Sequence, residues 1–254
     1  MNSKEAKAWL QNVEWQEGRI VTVTEGPYRH RIVVHCSDQG RQKAEFANGD
    51  HSYFGYVELV DSQGGWIRQG VSIVPVLPDR RLIMVIEQRP AQSRFDDMPT
   101  MAKIQGRNVD LRTFGPHSSL EFPGGAIDPN EGLKAGFLRE FQEETGAEEQ
   151  KAVLLKSCHP IYFFGSDLAL RGYVAIALLS GLNFQNHVET DGGLNVVALT
   201  RNEVQTNLFN GTIHSGQAAI APWQFYMQVE PFLENPSELI RAGYLSVEEV
   251  KVRR

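Results

Sequence analysis

The stretch from Gly125 to Ala147, GAIDPNEGLKAGFLREFQEETGA, constrains this chain more than any other. It sets a glycine, a glutamate six residues on, Arg139-Glu140, Glu143-Glu144 and then Gly146. Its pattern predicts a helix. Asp128 is a capping residue, Pro129 suits the first helical position, Glu131 stands where a capping box has its acid, and Gly146 is a natural stop. At about 100° per residue, Glu140, Glu143 and Glu144 fall within about 100° of one another, and Phe137, Leu138 and Phe141 occupy the adjoining face. One face packs while its neighbour gathers carboxylates. Like charges three and four residues apart destabilise a bare helix by a few tenths of a kcal/mol per pair. A cation among them reverses that sign, and hard oxygen ligands in this number suit Mg²⁺, with Mn²⁺ as the alternative.

A Glu-Glu pair alone would read as a solvated acidic face. The whole spacing is far more restrictive. Gly125, Glu131, Arg139, Glu140, Phe141, Glu143, Glu144, Gly146 and Ala147 meet G-x5-E-x7-R-E-(apolar)-x-E-E-x-G-(apolar) at every charged and glycine position. This resembles the box of the Nudix hydrolases. The resemblance implies an α/β (α+β) fold, a mixed β-sheet sandwiched between helices, with the box as a loop-helix-loop at one edge. It also implies metal binding by Glu140, Glu143 and Glu144. Arg139 would orient a carboxylate and bridge to Glu131, and Gly125 and Gly146 would let the backbone turn closely beside the site.

The chain has 254 residues, enough for one large domain or a domain with an extension. Residues 1–68 read as a mostly β extension: Arg19–Thr24, His30–His35 and Tyr53–Val60 are β-rich runs split by turn signals, with a short helix over 4–12. Their strands could equally join the main sheet. The resemblance implies that residues 69–254 form the Nudix hydrolase domain. In it, Val71–Leu77 and Leu82–Ile86 make a hairpin around Pro78–Arg81. Pro90–Leu120 is a long polar insertion, either a lid or binding element or a solvated loop. Further strands are predicted over 151–157, 173–179 and 194–199, and helices over 201–209, 215–231 and 237–242.

A net charge of −6 disfavours a polyanion partner held by charge alone, so nucleic acid is not the expected ligand. Cys36 and Cys158 make no disulfide framework, which fits a reducing, cytoplasmic setting. The polar N-terminal segment lacks the apolar core of a secretory leader, and no apolar run is long enough to span a membrane.

Substrate class comes from outside the box. Leu82–Arg89 is similar to the strand ending in Gln-x-Arg of ADP-ribose and nucleotide-sugar pyrophosphatases, where Arg89 would contact a phosphate. Glu121–Gly125 (EFPGG) is similar to that branch's entry to the box, where Glu121 would bind metal. Gly165-Ser166-Asp167 resembles its substrate loop, and Asn210–Ile213 its lead into the last helix. The base is either Glu140 or a later-loop glutamate, for which Glu189 is the candidate and Asp191 the second. Tyr28, Tyr162, Phe163 and Phe164 offer faces for a nucleobase, and His159 a polar contact; taken singly, each reads more readily as an ordinary core, surface or loop residue. Two departures stand out. The branch's proline after the box falls at Pro160, two positions early, and Tyr162 occupies its expected place. The N-terminal β region, which in that branch exchanges between subunits of a homodimer, matches poorly.

The leading expectation is a Mg²⁺-dependent pyrophosphohydrolase of a small nucleoside diphosphate derivative, ADP-ribose or a nucleotide sugar. Nucleoside triphosphates, dinucleoside polyphosphates or capped RNA are the alternative substrates. A nucleotide-sensing module without turnover is the reading from another class. Such modules often lose box carboxylates and carry a DNA-binding domain, whereas this chain keeps every carboxylate and shows no helix-turn-helix pattern.

Overall fold

The computed structural model describes residues 19–23, 29–35, 54–61, 63–89, 97–146, 150–157, 170–179, 195–235, 237–238 and 245–252. The chain divides into two units, one of residues 1–68 with 164–170 and one of residues 69–163 with 171–254. In the first, β1 (Arg19–Val23), β2 (Arg29–His35), β3 (Phe54–Val60) and β4 (Trp66–Ile67) form an antiparallel sheet in sequence order. The β3–β4 turn is fixed by Asp61, whose Oδ1 accepts the N–H groups of Gln63 at 2.8 Å and Gly65 at 2.7 Å. The expected helix over 4–12 lies outside the described residues.

The second unit is built on an eight-stranded sheet. Its first strands are β5 (Gln69–Val76) and β6 (Leu82–Gln88), joined by the expected turn. The 90–120 segment departs from the loop expected there. It carries a hairpin of β7 (Met101–Ile104) and β8 (Arg107–Asp110), a 3₁₀ turn over Leu111–Phe114, and β9 (Ser118–Glu121). Then come β10 (Gly124–Ile127), helix α1 (Leu133–Thr145), β11 (Gln150–Ser157), β12 (Arg171–Leu179) and β13 (Asn195–Leu199). Helices α2 (Arg201–Phe209) and α3 (Gly216–Gln224) follow, and β14 (Leu245–Val252) closes the chain. The single long helix expected over 215–231 is divided: α3 contains Pro222 and passes into a π-turn over Phe225–Val229 and a 3₁₀ turn over Glu230–Phe232. Proline has no N–H to donate to the preceding turn, so regular α-geometry is interrupted there.

The main path of the sheet runs β13-β6-β5-β12-β11-β14, with β12 parallel to β5 and the other pairs antiparallel. β5 and β6 touch in register only at Val76 and Leu82. Beyond that point they separate, and the segment before α1 enters between them: β9 pairs with β6 and β10 with β5.

Both faces of the sheet are covered, which explains the near-continuous apolar runs of β5, β6 and β12. On one face Val74, Val76, Leu82, Met84, Ile86, Val174 and Ile176 pack with Val204 of α2, Ala218 and Ala221 of α3, and Phe225. On the other, Val71, Ile73, Ile83, Val85, Ala175 and Ala177 pack with Phe137 and Phe141 of α1. Those two rings are one helical turn apart, fully buried and stacked at 6.0 Å between centroids. Each contributes about 2–3 kcal/mol of burial. The architecture is therefore α/β, a mixed sheet between helices, as the sequence indicated.

Candidate active site

Helix α1 starts four residues later than its capping pattern suggests. Asp128 and Glu131 do face each other: the Glu131 N–H donates to the Asp128 carbonyl at 2.9 Å, and the Asp128 N–H to Glu131 Oε2 at 3.3 Å. That turn precedes the helix, and Gly132, in extended geometry, is the residue before its first turn. The Glu131 carboxylate is engaged by a group eight residues on. Arg139 Nε and Nη2 donate to its two oxygens at 3.1 and 2.9 Å. The helix stops at Gly146 in left-handed geometry, φ +57°, where its N–H caps the Gln142 carbonyl.

Arg139 is the hub of the box. Besides Glu131 it donates through Nη1 to Glu140 at 2.7 Å and Glu143 at 3.3 Å, and through Nη2 to the Ala126 carbonyl at 2.9 Å. One planar guanidinium thus fixes the turn, the end of β10 and two carboxylates. The Arg139 partnership holds Glu131 below the usual carboxylate range.

The glycines before the helix are required by space. Gly124 has φ +154°, and a Cβ there would lie 2.1 Å from the Val71 carbonyl oxygen. A Cβ on Gly125 would lie 2.5 Å from Glu140 Oε2, so the Glu140 carboxylate rests directly on the backbone of β10. The Gly124 N–H donates to Glu144 Oε2 at 2.7 Å. Two glutamates one helical turn apart are thereby seated over two successive glycines. Both are buried, while Glu143 is half-exposed.

Neither buried carboxyl is comfortable as an anion. Burial pushes Glu144 up to about 9, and the negative charges of Glu87 and Glu140 add to that, against the Gly124 N–H and Arg89. Burial also raises Glu140, although Arg139 opposes it. A buried, like-charged pair of hard oxygen donors is what a divalent cation would relieve. Among the described residues, however, no three acidic, histidine or cysteine side chains converge closely enough to cage an ion by themselves. Both observations fit a Mg²⁺-type ion, which is held by one or two carboxylates and completes its shell with water and substrate phosphate oxygens.

The sequence reading missed Glu87. It stands on β6 two residues after Val85, hence on the face that packs α1, and forms an ion pair with Arg89 Nη2 at 2.7 Å. The alternation of β6 carries that signal. Glu121, expected at the metal, stands on β9 opposite Val85. Its carboxylate is buried and accepts the hydroxyls of Ser119 at 2.8 Å and Ser215 at 2.5 Å, tying β9 to the start of α3. Gly165, Ser166, Asp167, Glu189 and Asp191 lie outside the described residues, as do Tyr28, His159, Tyr162, Phe163 and Phe164.

A family model of the NUDIX domain matches residues 67–208, more than half of the chain. The chain therefore belongs to the Nudix family, and it is a Nudix hydrolase, acting on phosphoric anhydride bonds; such enzymes generally work with divalent metal ions. A solved structure described as a crystal structure of ADP compounds hydrolase is similar at 18% identity and a TM-score of 0.48, covering 85% of this chain and 99% of that one. Comparison with curated proteins gives no match. No helix among the described residues is long and apolar enough to cross a membrane.

Proposed function

We propose that the protein is a Mg²⁺-dependent pyrophosphohydrolase that cleaves a nucleoside diphosphate linked to another moiety. ADP-ribose or a nucleotide sugar would yield a nucleoside monophosphate and a sugar phosphate. The observation that carries this reading is the seating of Glu140 and Glu144 over Gly124 and Gly125, with Arg89 beside them. Glu140 and Glu144, with Glu143 at the exposed edge, would hold the cation. When bound, Mg²⁺ would neutralise phosphate charge and make a water more acidic. Arg139 orients Glu140 and offsets repulsion within the cluster. Arg89 supplies a fixed positive charge for a phosphate oxygen. Glu121, which also ties β9 to the start of α3, would be a further ligand for the cation. The proton acceptor is Glu140 or a glutamate of the 181–193 segment, with Glu189 first and Asp191 second. Gly165-Ser166-Asp167 would line the substrate side.

The test is turnover of ADP-ribose, nucleotide sugars, nucleoside triphosphates and dinucleoside polyphosphates with Mg²⁺, with products identified. Nucleoside monophosphate plus sugar phosphate from the first two supports the reading. Pyrophosphate released from triphosphates in preference would redirect it to that class. A chain that binds these compounds without turning over any of them is a sensing module, and the proposal is then wrong. The expectation of a homodimer is read out by light scattering on the same preparation.

A further inference from the structure

At the end of β6 the backbone is pinned to the start of β9. The Arg89 N–H donates to the His117 carbonyl at 2.7 Å. Gln88 bonds Ser118 Oγ at 2.7 Å through Nε2 and accepts the His117 N–H at 3.3 Å through Oε1. What remains to be oriented is the long, partly exposed Arg89 side chain, which has many rotamers to lose. Glu87 lies two residues earlier, on the face of β6 that packs α1, and its carboxylate takes the Arg89 guanidinium at 2.7 Å. The register sets Glu87 opposite Ser119 and Val85 opposite Glu121, so this end of the strand is paired along its length. Glu87 and α1 thus share one side of the sheet, where Glu144 is buried. An arginine beside such a cluster has competing partners. Without a dedicated acid it would pair with Glu144 itself and cancel the charge that a cation needs.

We propose that Glu87 is a positioning residue that holds the Arg89 guanidinium on the β6 side of the Glu140–Glu144 pair, oriented to receive a phosphate of the substrate diphosphate. This rests on the proposed diphosphate chemistry of the site. Glu87 keeps one part of the Arg89 fork occupied and leaves its other N–H groups directed outward. Phosphate binding then costs less side-chain ordering, because the ordering is already done.

The test is a double-mutant cycle on Glu87→Gln and Arg89→Ala with two readouts. One is calorimetric binding of inorganic pyrophosphate in the presence of Ca²⁺. The other is the KM and kcat for ADP-ribose with Mg²⁺. For a partly exposed ion pair, Glu87→Gln weakens pyrophosphate binding about fivefold and raises KM as much, with kcat within about twofold. Glu87→Asp recovers most of the loss. Arg89→Ala costs about tenfold or more, and adding Glu87→Gln to it costs nothing further. Unchanged pyrophosphate affinity in Glu87→Gln, a loss that persists undiminished in the Arg89→Ala background, or no pyrophosphate binding by the wild type overturns the proposal. A wild type that turns over no diphosphate defeats the proposed function, while the pyrophosphate cycle still decides the role of Glu87.

Discussion

Two buried glutamates on two helices of the same unit behave in opposite ways. Glu144 of α1 and Glu203 of α2 are 8% and 6% exposed. Burial pushes Glu144 up to about 9, whereas Glu203 is held below its ordinary value although burial opposes that. The difference lies in their partners. Glu203 accepts the Thr200 N–H at 2.9 Å, the Thr200 hydroxyl at 2.8 Å and the Gly106 N–H at 2.6 Å, with Lys103 nearby. It completes a capping box and fastens the β7–β8 hairpin to α2. Glu144 has one backbone donor and two like-charged neighbours. Glu203 is an acid whose fold satisfies it. Glu144 is an acid whose charge the fold leaves largely unanswered, and that contrast separates a carboxylate satisfied by its neighbours from the one proposed to hold a cation.

The contrast is sharpest under substitution. Glu144→Gln should lower Mg²⁺-dependent turnover by about a hundredfold or more with the unfolding midpoint held or raised. Undiminished activity would remove Glu144 from the cation site. Glu203→Ala should do the reverse. Loss of the cap and an unsatisfied Gly106 N–H cost about 2–3 kcal/mol in denaturant unfolding, with little change in kcat per folded molecule. A collapse of kcat at full stability would break the comparison.

Arg139→Lys keeps the charge but loses the fork that joins Glu131, Glu140 and Ala126, so turnover should fall about tenfold. The pH dependence separates the two acids again. A carboxyl raised from 4.5 to about 9 contributes stability that is full below 4.5 and is lost as pH climbs towards 9. Glu203, lowered from 4.5, contributes stability present above 4.5 and lost as pH falls through its folded value. Without cation, melting curves of wild type minus Glu144→Gln should decline from pH 5 to 9, and Mg²⁺ should flatten the decline. Curves of wild type minus Glu203→Ala should decline on acidification instead. The smallest effect belongs to Glu234, which is exposed and meets Arg80 at 3.3 Å; Glu234→Gln should shift stability by less than about 0.5 kcal/mol.

Much of this was readable beforehand, for reasons that differ by element. The box was legible because its chemistry fixes residue types at fixed spacings, and Phe137 and Phe141 announced the packed face. Helix α2 was legible from end to end because Thr200 and Glu203 mark its start locally. The start of α1 was not. Asp128 and Glu131 present the same local pattern, but Arg139, eight residues along, takes the Glu131 carboxylate. The hairpin within 90–120 was hidden because polar tertiary contacts hold it. The buried Asn207 side chain accepts the Lys103 N–H at 2.6 Å and donates to the Lys103 carbonyl at 2.9 Å, standing in for a neighbouring strand. Strand β14 was masked by Glu248-Glu249, which interrupt its alternation. Glu121 is legible as a candidate ligand by position, and only the fold shows the two serines that engage it.

The hydrogen bond from the Arg89 N–H to the His117 carbonyl closes the base of the 90–117 segment. Within it the β7–β8 hairpin is fastened again by Glu203 and Asn207 of α2, while β9 and β10 beyond it are pinned in the sheet. Doubling such a loop adds only about 0.6 kcal/mol of closure entropy. Length can therefore be added to the segment outside its hairpin at small cost, while the residues before α1 keep their places.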